Sequence, residues 1–329
     1  MLRDDLQLIR KRLEAAENIA IFAHLMPDGD SVGSVLALGW ALEDAGKKVQ
    51  YIAQDPIPER YQFLFQFIPG GKNPFIPEPV GADCYVTPDI SSADRAGAFF
   101  QEHPEIPVDI CIDHHVSNQG VGKLNWIVPE SPAACEVLNA ILPELGLSFS
   151  KRISSALLCG IITDTNSFSN SNVCASSLRA AADLIDKGAD IFYINHLAYK
   201  EHTIQEMDFW RVGMTNMKID DGLAWSVITK AEREAMGIIT TDDPGFVNYM
   251  GNTSGVKVSV LFIELDELTT KISWRSLPGY NVAEVAVCFD GGGHKAASGA
   301  TVRGQRMTDL IPAVLARTKE MITRSSEQK

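Results

Sequence analysis

The sequence has 329 residues, 45% of them hydrophobic and 22% charged, a globular composition that excludes a disordered, collagen-like or fibrous chain. With 29 basic and 42 acidic residues the net charge is −13, which excludes a global basic field of the kind that draws a protein onto long duplex nucleic acid. A chain this long rarely closes around one core, so two domains are expected.

Residues 1–18 are charged throughout and read as an amphipathic helix, without the apolar core of a signal peptide. Residues 19–23 (IAIFA) read as a buried strand. The spacing predicts a helix over 31–45, apolar at Val32, Val35, Leu36, Leu38, Gly39 and Leu42 and ended by Gly46. Strand patterns follow at 48–53, 84–88 and 108–112, and helical ones at 132–145, 151–162 and 175–187. This alternation predicts an α/β fold: a mainly parallel sheet with helices on both faces, over residues 1–186. Residues 187–204 read as a helical linker. Residues 205–329 change character, with strand patterns at 223–229, 256–264 and 269–275 and a helix over 282–289. They predict a smaller α+β C-terminal domain, with 324–329 as a frayed end. No apolar run approaches the ~18 residues of a membrane span. None of the six cysteines forms a C-x-x-C pair, and most lie in apolar stretches. Together these features point to a cytoplasmic protein without a membrane partner.

Four groups of acids and imidazoles stand where apolar segments end: His24 to Asp30, Asp89, Asp113-His114-His115, and Asp164. All four are read as following strand ends at one edge, where parallel sheets bind ligands. A single Asp after a strand is commonly a turn former or helix cap, and a lone His is commonly a core or surface residue. The four together are harder to dismiss. Carboxylates crowded into one crevice repel each other unless cations are present. Asp28, Asp30, Asp89 and Asp164 balance two divalent ions, and His24 and His114 add neutral nitrogens. Such an oxygen-rich set favours Mn²⁺, with Mg²⁺ as the other candidate, over zinc. A pair of such ions is a clamp for phosphoryl transfer.

Further on, Gly291-Gly292-Gly293-His294 lets backbone N–H groups approach an anion, and Arg275-Ser276 ends a strand pattern with a guanidinium suited to phosphate. Arg95 is a third, weaker phosphate candidate. Trp274 and Tyr280 flank this region; they are candidates for base stacking, although strand alternation favours a core role for Trp274.

The patterns H-x-x-x-D-x-D-x-x-G-S from His24, Asp89 with Arg95 six residues on, D-H-H, D-T-x-x-F from Asp164 and the downstream G-G-G-H resemble the DHH phosphoesterase superfamily and its associated C-terminal domain. The resemblance covers nearly the whole chain, in the family's motif order. It implies one metal on His24, Asp28 and Asp89 and a second on Asp30, Asp89, His114 and Asp164, with Asp89 bridging. It further implies that His115 faces the scissile phosphate, that Asp113 orients His114, and that Arg275 with Gly291–His294 holds a non-reacting phosphate. Gly33 and Ser34 belong to the first motif, as close helix packing and a nearby hydroxyl. Asp290, Asn166 and the K-A-A-S-G that follows His294 depart from the family pattern; Asn tolerates the positive φ that a glycine would supply at 166.

Length and domain order resemble the bacterial nanoRNase/pAp-phosphatase group. The implied activity is two-metal hydrolysis of short oligoribonucleotides such as pApA, of 3′-phosphoadenosine 5′-phosphate (pAp), or of both, by domains that close over the ligand. A cyclic di-AMP phosphodiesterase is the alternative. A non-catalytic nucleotide sensor would require a broken metal set, and none of the six ligand positions is broken. A homodimer is allowed.

Overall fold

The computed structural model describes residues 2–170, 172–238 and 243–327. Met1, in the first expected helix, and residues 328–329, in the expected frayed end, lie outside them. The chain divides into two compact units, Met1–Glu201 and His202–Lys329.

The first unit holds a six-stranded sheet. Its strands are β1 (Asn18–Phe22), β2 (Lys48–Ile52), β3 (Phe75–Ile76), β4 (Cys84–Pro88), β5 (Ile110–Asp113) and β6 (Leu124–Ile127), in the order β3-β2-β1-β4-β5-β6. Every pairing is parallel. β1 is buried on both faces: Ile19 and Ile21 join the larger core, and Ala20 and Phe22 join a second core with Phe99, Phe100 and Val108. The chain winds outward in one direction through β2 and in the other through β4. The crevice where strand order reverses therefore lies beyond the carboxyl ends of β1 and β4.

Two buried helices, Gly29–Asp44 and Lys151–Asp164, pack together in the larger core. Their approach depends on glycine. A Cβ on Gly33 would lie 2.4 Å from the Ala156 carbonyl oxygen, as the motif reading expected. A Cβ on Gly160 would lie 2.3 Å from Cys135 Sγ and 2.5 Å from Asp30 Oδ1. Gly160→Ala should therefore cost about 1–3 kcal/mol through overpacking and push the Asp30 carboxylate out of place. The check is a lowered melting temperature together with weakened cation binding; an unchanged melting temperature would mean that the helices separate at no cost.

The second unit carries β7 (Lys218–Asp220), β8 (Leu223–Ile228), β9 (Val258–Asp266), β10 (Thr269–Ser276), β11 (Gly292–His294) and β12 (Ala297–Arg303), in the order β11-β12-β10-β9-β8-β7. Only the β8–β9 pairing is parallel. Alternation again sorts the faces. Val258, Val260 and Phe262 pack with Leu310, Val314 and Met321 of the helix Met307–Glu327, while Leu261 and Ile263 pack with Phe209, Phe246 and Met250.

Several elements differ from the sequence reading. β3, β6 and the helix Met307–Glu327 were not anticipated. The expected frayed end is helical as far as Glu327, and Arg324 pairs with Glu284. No helix among the described residues is long and apolar enough to cross a membrane.

Candidate metal centre

The first acid group grows directly out of β1. Asp28 caps the helix Gly29–Asp44, its Oδ1 accepting from the N–H groups of Asp30 and Ser31 at 3.0 Å each. The His24 N–H donates to Ser31 Oγ at 3.0 Å, and its Nδ1 lies 2.8 Å from the Leu25 carbonyl oxygen. A carbonyl only accepts, and this shorter contact calls for the hydrogen on Nδ1 and the lone pair on Nε2, whereas Arg95 Nη2, a donor 3.2 Å from the same Nδ1, calls for the opposite tautomer. That Nε2 lies 3.5 Å from both Asp28 Oδ1 and Asp89 Oδ2.

Asp30 is fully buried at the N-terminus of the helix Ala134–Ile141. The Ala134 and Cys135 N–H groups donate to its two oxygens at 2.6 and 2.9 Å. Asp89 follows β4 in a left-handed conformation, φ 57°, with its N–H donating to the Ile112 carbonyl oxygen at 2.9 Å. His114 follows β5, its Nδ1 3.2 Å from the Ser131 carbonyl oxygen. Its Nε2 lies 3.4 Å from Asp89 Oδ1, 3.4 Å from Asp164 Oδ2 and 3.8 Å from Asp30 Oδ2.

Asp164 corrects the sequence reading. It is the last residue of the helix Lys151–Asp164, so three acid groups follow strands and the fourth ends a helix. A carboxylate at a helix C-terminus opposes the macrodipole and calls for a compensating cation. Asp113 brings a second correction, because it orients His115 and not His114. Its Oδ1 lies 2.8 Å from His115 Nδ1, and its Oδ2 accepts from Asn118 Nδ2 at 2.6 Å. Asp113 also stands with Asp89, His114 and His115 in a third group whose ligand atoms lie within 4.8 Å of one another.

The electrostatics are those of a site short of positive charge. Burial, followed by the nearby Asp30 and Asp28 carboxylates, pushes Asp89 and Asp164 well above the ordinary carboxylate value. Burial also raises Asp30. Burial opposes ionisation of Asp28 too, but His24 and the Ser31 and Asp30 N–H groups outweigh it and draw that carboxyl down. For His114, burial is overcome by Asp30, Asp164 and Asp113, which raise its pKa.

Asp89 Oδ1 and His114 Nε2 are among the buried atoms that have no hydrogen-bond partner. A lone pair set against three carboxylates is repulsive unless a proton or a metal ion lies between them. Ligand atoms of His24, Asp28 and Asp89 lie within 4.8 Å of one another, as do those of Asp30, His114 and Asp164. Asp89 faces the first group with Oδ2 and the second with Oδ1. These donors fit two oxygen-preferring divalent cations.

Arg95 stands apart from the other phosphate candidates. Its Nη2 lies 3.2 Å from His24 Nδ1, in the first unit. In the second unit, half-buried Arg275 donates through Nη1 to the Trp274 carbonyl oxygen at 2.9 Å. Burial draws its guanidinium below the ordinary value, against the pull of Asp243. Ser276 Oγ donates to the Tyr280 carbonyl oxygen at 2.8 Å. Gly292, Gly293 and His294 form the edge strand β11, all exposed, while Gly291 before them is half-buried. Asp290 supplies φ 56° where the family often has glycine, and Asn166 supplies φ 52°. Trp274 and Tyr280 are buried in the core, and Trp274 Nε1 donates to Thr318 Oγ1 at 3.2 Å. Neither ring is available to stack on a base.

The sequence reading missed Asn118 and Gly160. Asn118 stands three residues after His115 and carries only a turn signal, and Gly160 is hidden in an apolar run.

Known protein families match both units. The DHH family, N-terminal domain, matches residues 18–161, and the DHHA1 domain matches residues 223–322. A bifunctional oligoribonuclease and PAP phosphatase NrnA from Thermus thermophilus is 28% identical over 98% of this chain and 96% of its own length. A protein of the same name from Bacillus subtilis is 24% identical over 94% and 96%. The crystal structure of an exopolyphosphatase-related protein from Bacteroides fragilis shares the fold, with a TM-score of 0.89, 24% identity and 98% of each chain covered. The chain thus belongs to the DHH family and carries a DHHA1 domain in its second unit.

Proposed function

We propose that this protein is a two-metal phosphoesterase that hydrolyses short oligoribonucleotides, dinucleotides such as pApA among them, and pAp. The observation that carries the reading is the pair of adjoining ligand groups, His24–Asp28–Asp89 and Asp30–His114–Asp164, linked where Asp89 Oδ1 stands 3.4 Å from His114 Nε2, both atoms without a hydrogen-bond partner. The names of the Thermus and Bacillus relatives support the substrate class. His24, Asp28 and Asp89 would hold one divalent cation, and Asp30, Asp89, His114 and Asp164 the other. Two such ions supply Lewis acidity at phosphoryl oxygens and a more acidic attacking water.

The side chains do the rest. Asp113 accepts the Nδ1 hydrogen of His115; when Nε2 carries a hydrogen as well, it can contact a phosphoryl oxygen or give that proton to the leaving oxygen. Arg95, beside His24, adds positive charge on the phosphoryl side. Arg275, Ser276 and the stretch Gly291-Gly292-Gly293-His294 bind a phosphate that does not react.

Hydrolysis of pApA, pAp and cyclic di-AMP, compared side by side with Mn²⁺ or Mg²⁺, tests the reading. Cleavage of pApA and pAp, lost in chelator and restored best by Mn²⁺, is the expected result. Cleavage of cyclic di-AMP alone would make the protein a cyclic-dinucleotide phosphodiesterase. Tight binding without product would make it a sensor.

A further inference from the structure

Asn118 lies outside every motif that the functional reading uses, yet its side chain meets the chemistry at one remove. Its Nδ2 donates to Asp113 Oδ2 at 2.6 Å, and also to the Ile90 carbonyl oxygen at 3.2 Å. Its Oδ1 accepts from the Gly120 N–H at 2.8 Å. Its own N–H donates to the His115 carbonyl oxygen at 3.1 Å, closing a turn over 115–118. The amide therefore has one allowed orientation: carbonyl oxygens need its NH₂ end and an N–H needs its oxygen.

Asp113 is fully buried. One of its oxygens serves His115 Nδ1, and the other has Asn118 as its partner. Remove that amide and a buried carboxylate oxygen loses its donor. The carboxylate can then rotate to find another, and the imidazole it holds rotates with it. We infer that Asn118 is a positioning residue that acts through Asp113 to fix the ring of His115 for reaction. The backbone groups of Ile90 and Gly120 pin the amide from two sides, so that the chain Asn118–Asp113–His115 has a fixed end.

The inference rests on the proposed phosphoesterase activity, and a double-mutant cycle separates the two. The measurement is kcat and KM on pApA with saturating Mn²⁺ for the parent, Asn118→Ala, His115→Ala and the double variant. Asn118→Ala is expected to lower kcat about ten- to a hundredfold, the range for a residue that orients a catalytic imidazole, with KM nearly unchanged. Once His115 is gone, the same substitution should cost nothing further. Losses that multiply in the double variant would overturn the inference, because Asn118 would then act on the fold or on another part of the site. Asn118→Ser keeps a short donor and guards against misfolding; it should show the same dependence on His115, and a loss independent of His115 would likewise overturn the inference. A parent protein that cleaves neither pApA nor pAp would overturn the activity itself, and this inference with it.

Discussion

Asp89→Ala should abolish hydrolysis of pApA and pAp alike, with kcat/KM reduced at least about a hundredfold. One carboxylate faces both ligand groups, Oδ2 toward His24 and Oδ1 toward His114, so the substitution removes a ligand from each. Cations stabilise transition-state charge by several kcal/mol, and each 1.36 kcal/mol is about tenfold in rate. Stability should move the other way. In chelator, Asp89→Asn should melt at a higher temperature than the parent, because a neutral amide relieves the repulsion from Asp30 and Asp28 that helps to raise the Asp89 pKa.

The pH dependence has a definite sign. A carboxyl whose pKa is raised on folding binds more protons folded than unfolded. Its contribution is present below the ordinary carboxylate pKa and is lost as pH rises through the raised one. The cation-free parent should therefore lose stability on that rise, and Asp89→Asn should lose less. Near-parental turnover by Asp89→Ala at full Mn²⁺ occupancy would rule out Asp89 as the shared ligand.

Arg275→Ala and His294→Ala should separate recognition from chemistry. Each should reduce kcat/KM on pApA about ten- to a hundredfold, since a charge-assisted contact to phosphate is worth about 1.5–3 kcal/mol. On a small synthetic phosphodiester with no second phosphate, the same variants should stay near the parent. Asp89→Ala should fail on both substrates. A matrix of the three variants against the two substrates decides the point. Equal losses on both substrates for Arg275→Ala and His294→Ala would assign those residues to the reaction itself or to the fold. His294→Ala is the cleaner of the two, because His294 is exposed on β11, whereas half-buried Arg275 also ties its own strand end through the Trp274 carbonyl.

The parts of this protein that were legible in sequence are those governed by short-range pattern. β1, β4 and β5 stand out as apolar runs that end in Asp or His, whereas the helix expected from residue 31 starts at Gly29 with Asp28 as its cap. Asp164 was misplaced among the strand ends even though the segment before it, 151–162, carries a helical pattern, because the run ALLCGII, buried on all sides in the helix, has the apolar content of a buried strand as well. The pairing of Asp113 with His114 came from the family resemblance. Along extended backbone, however, alternate residues share a face, so Asp113 at the end of β5 meets His115. The long C-terminal helix carried a readable spacing at Met307, Leu310, Val314 and Met321, but Pro312 falls inside it and reads as a stop. Gly160 and Asn118 owe their importance to contacts across tens of residues, which no local window contains.

The sheets end in very short strands. In the first unit the outermost members are Phe75–Ile76 and Leu124–Ile127; in the second they are Lys218–Asp220 and Gly292–His294. An edge strand is where a second chain can add itself, and the hazard grows with the length of unpaired backbone on offer. Two to four residues give an incoming strand little template, and Lys218–Asp220 adds charge of both signs. This architecture resists edge-to-edge aggregation at its margins. When the protein is heated, the segments that seed aggregates should be the interior strands β1 and β9, exposed only once the helices covering them have detached.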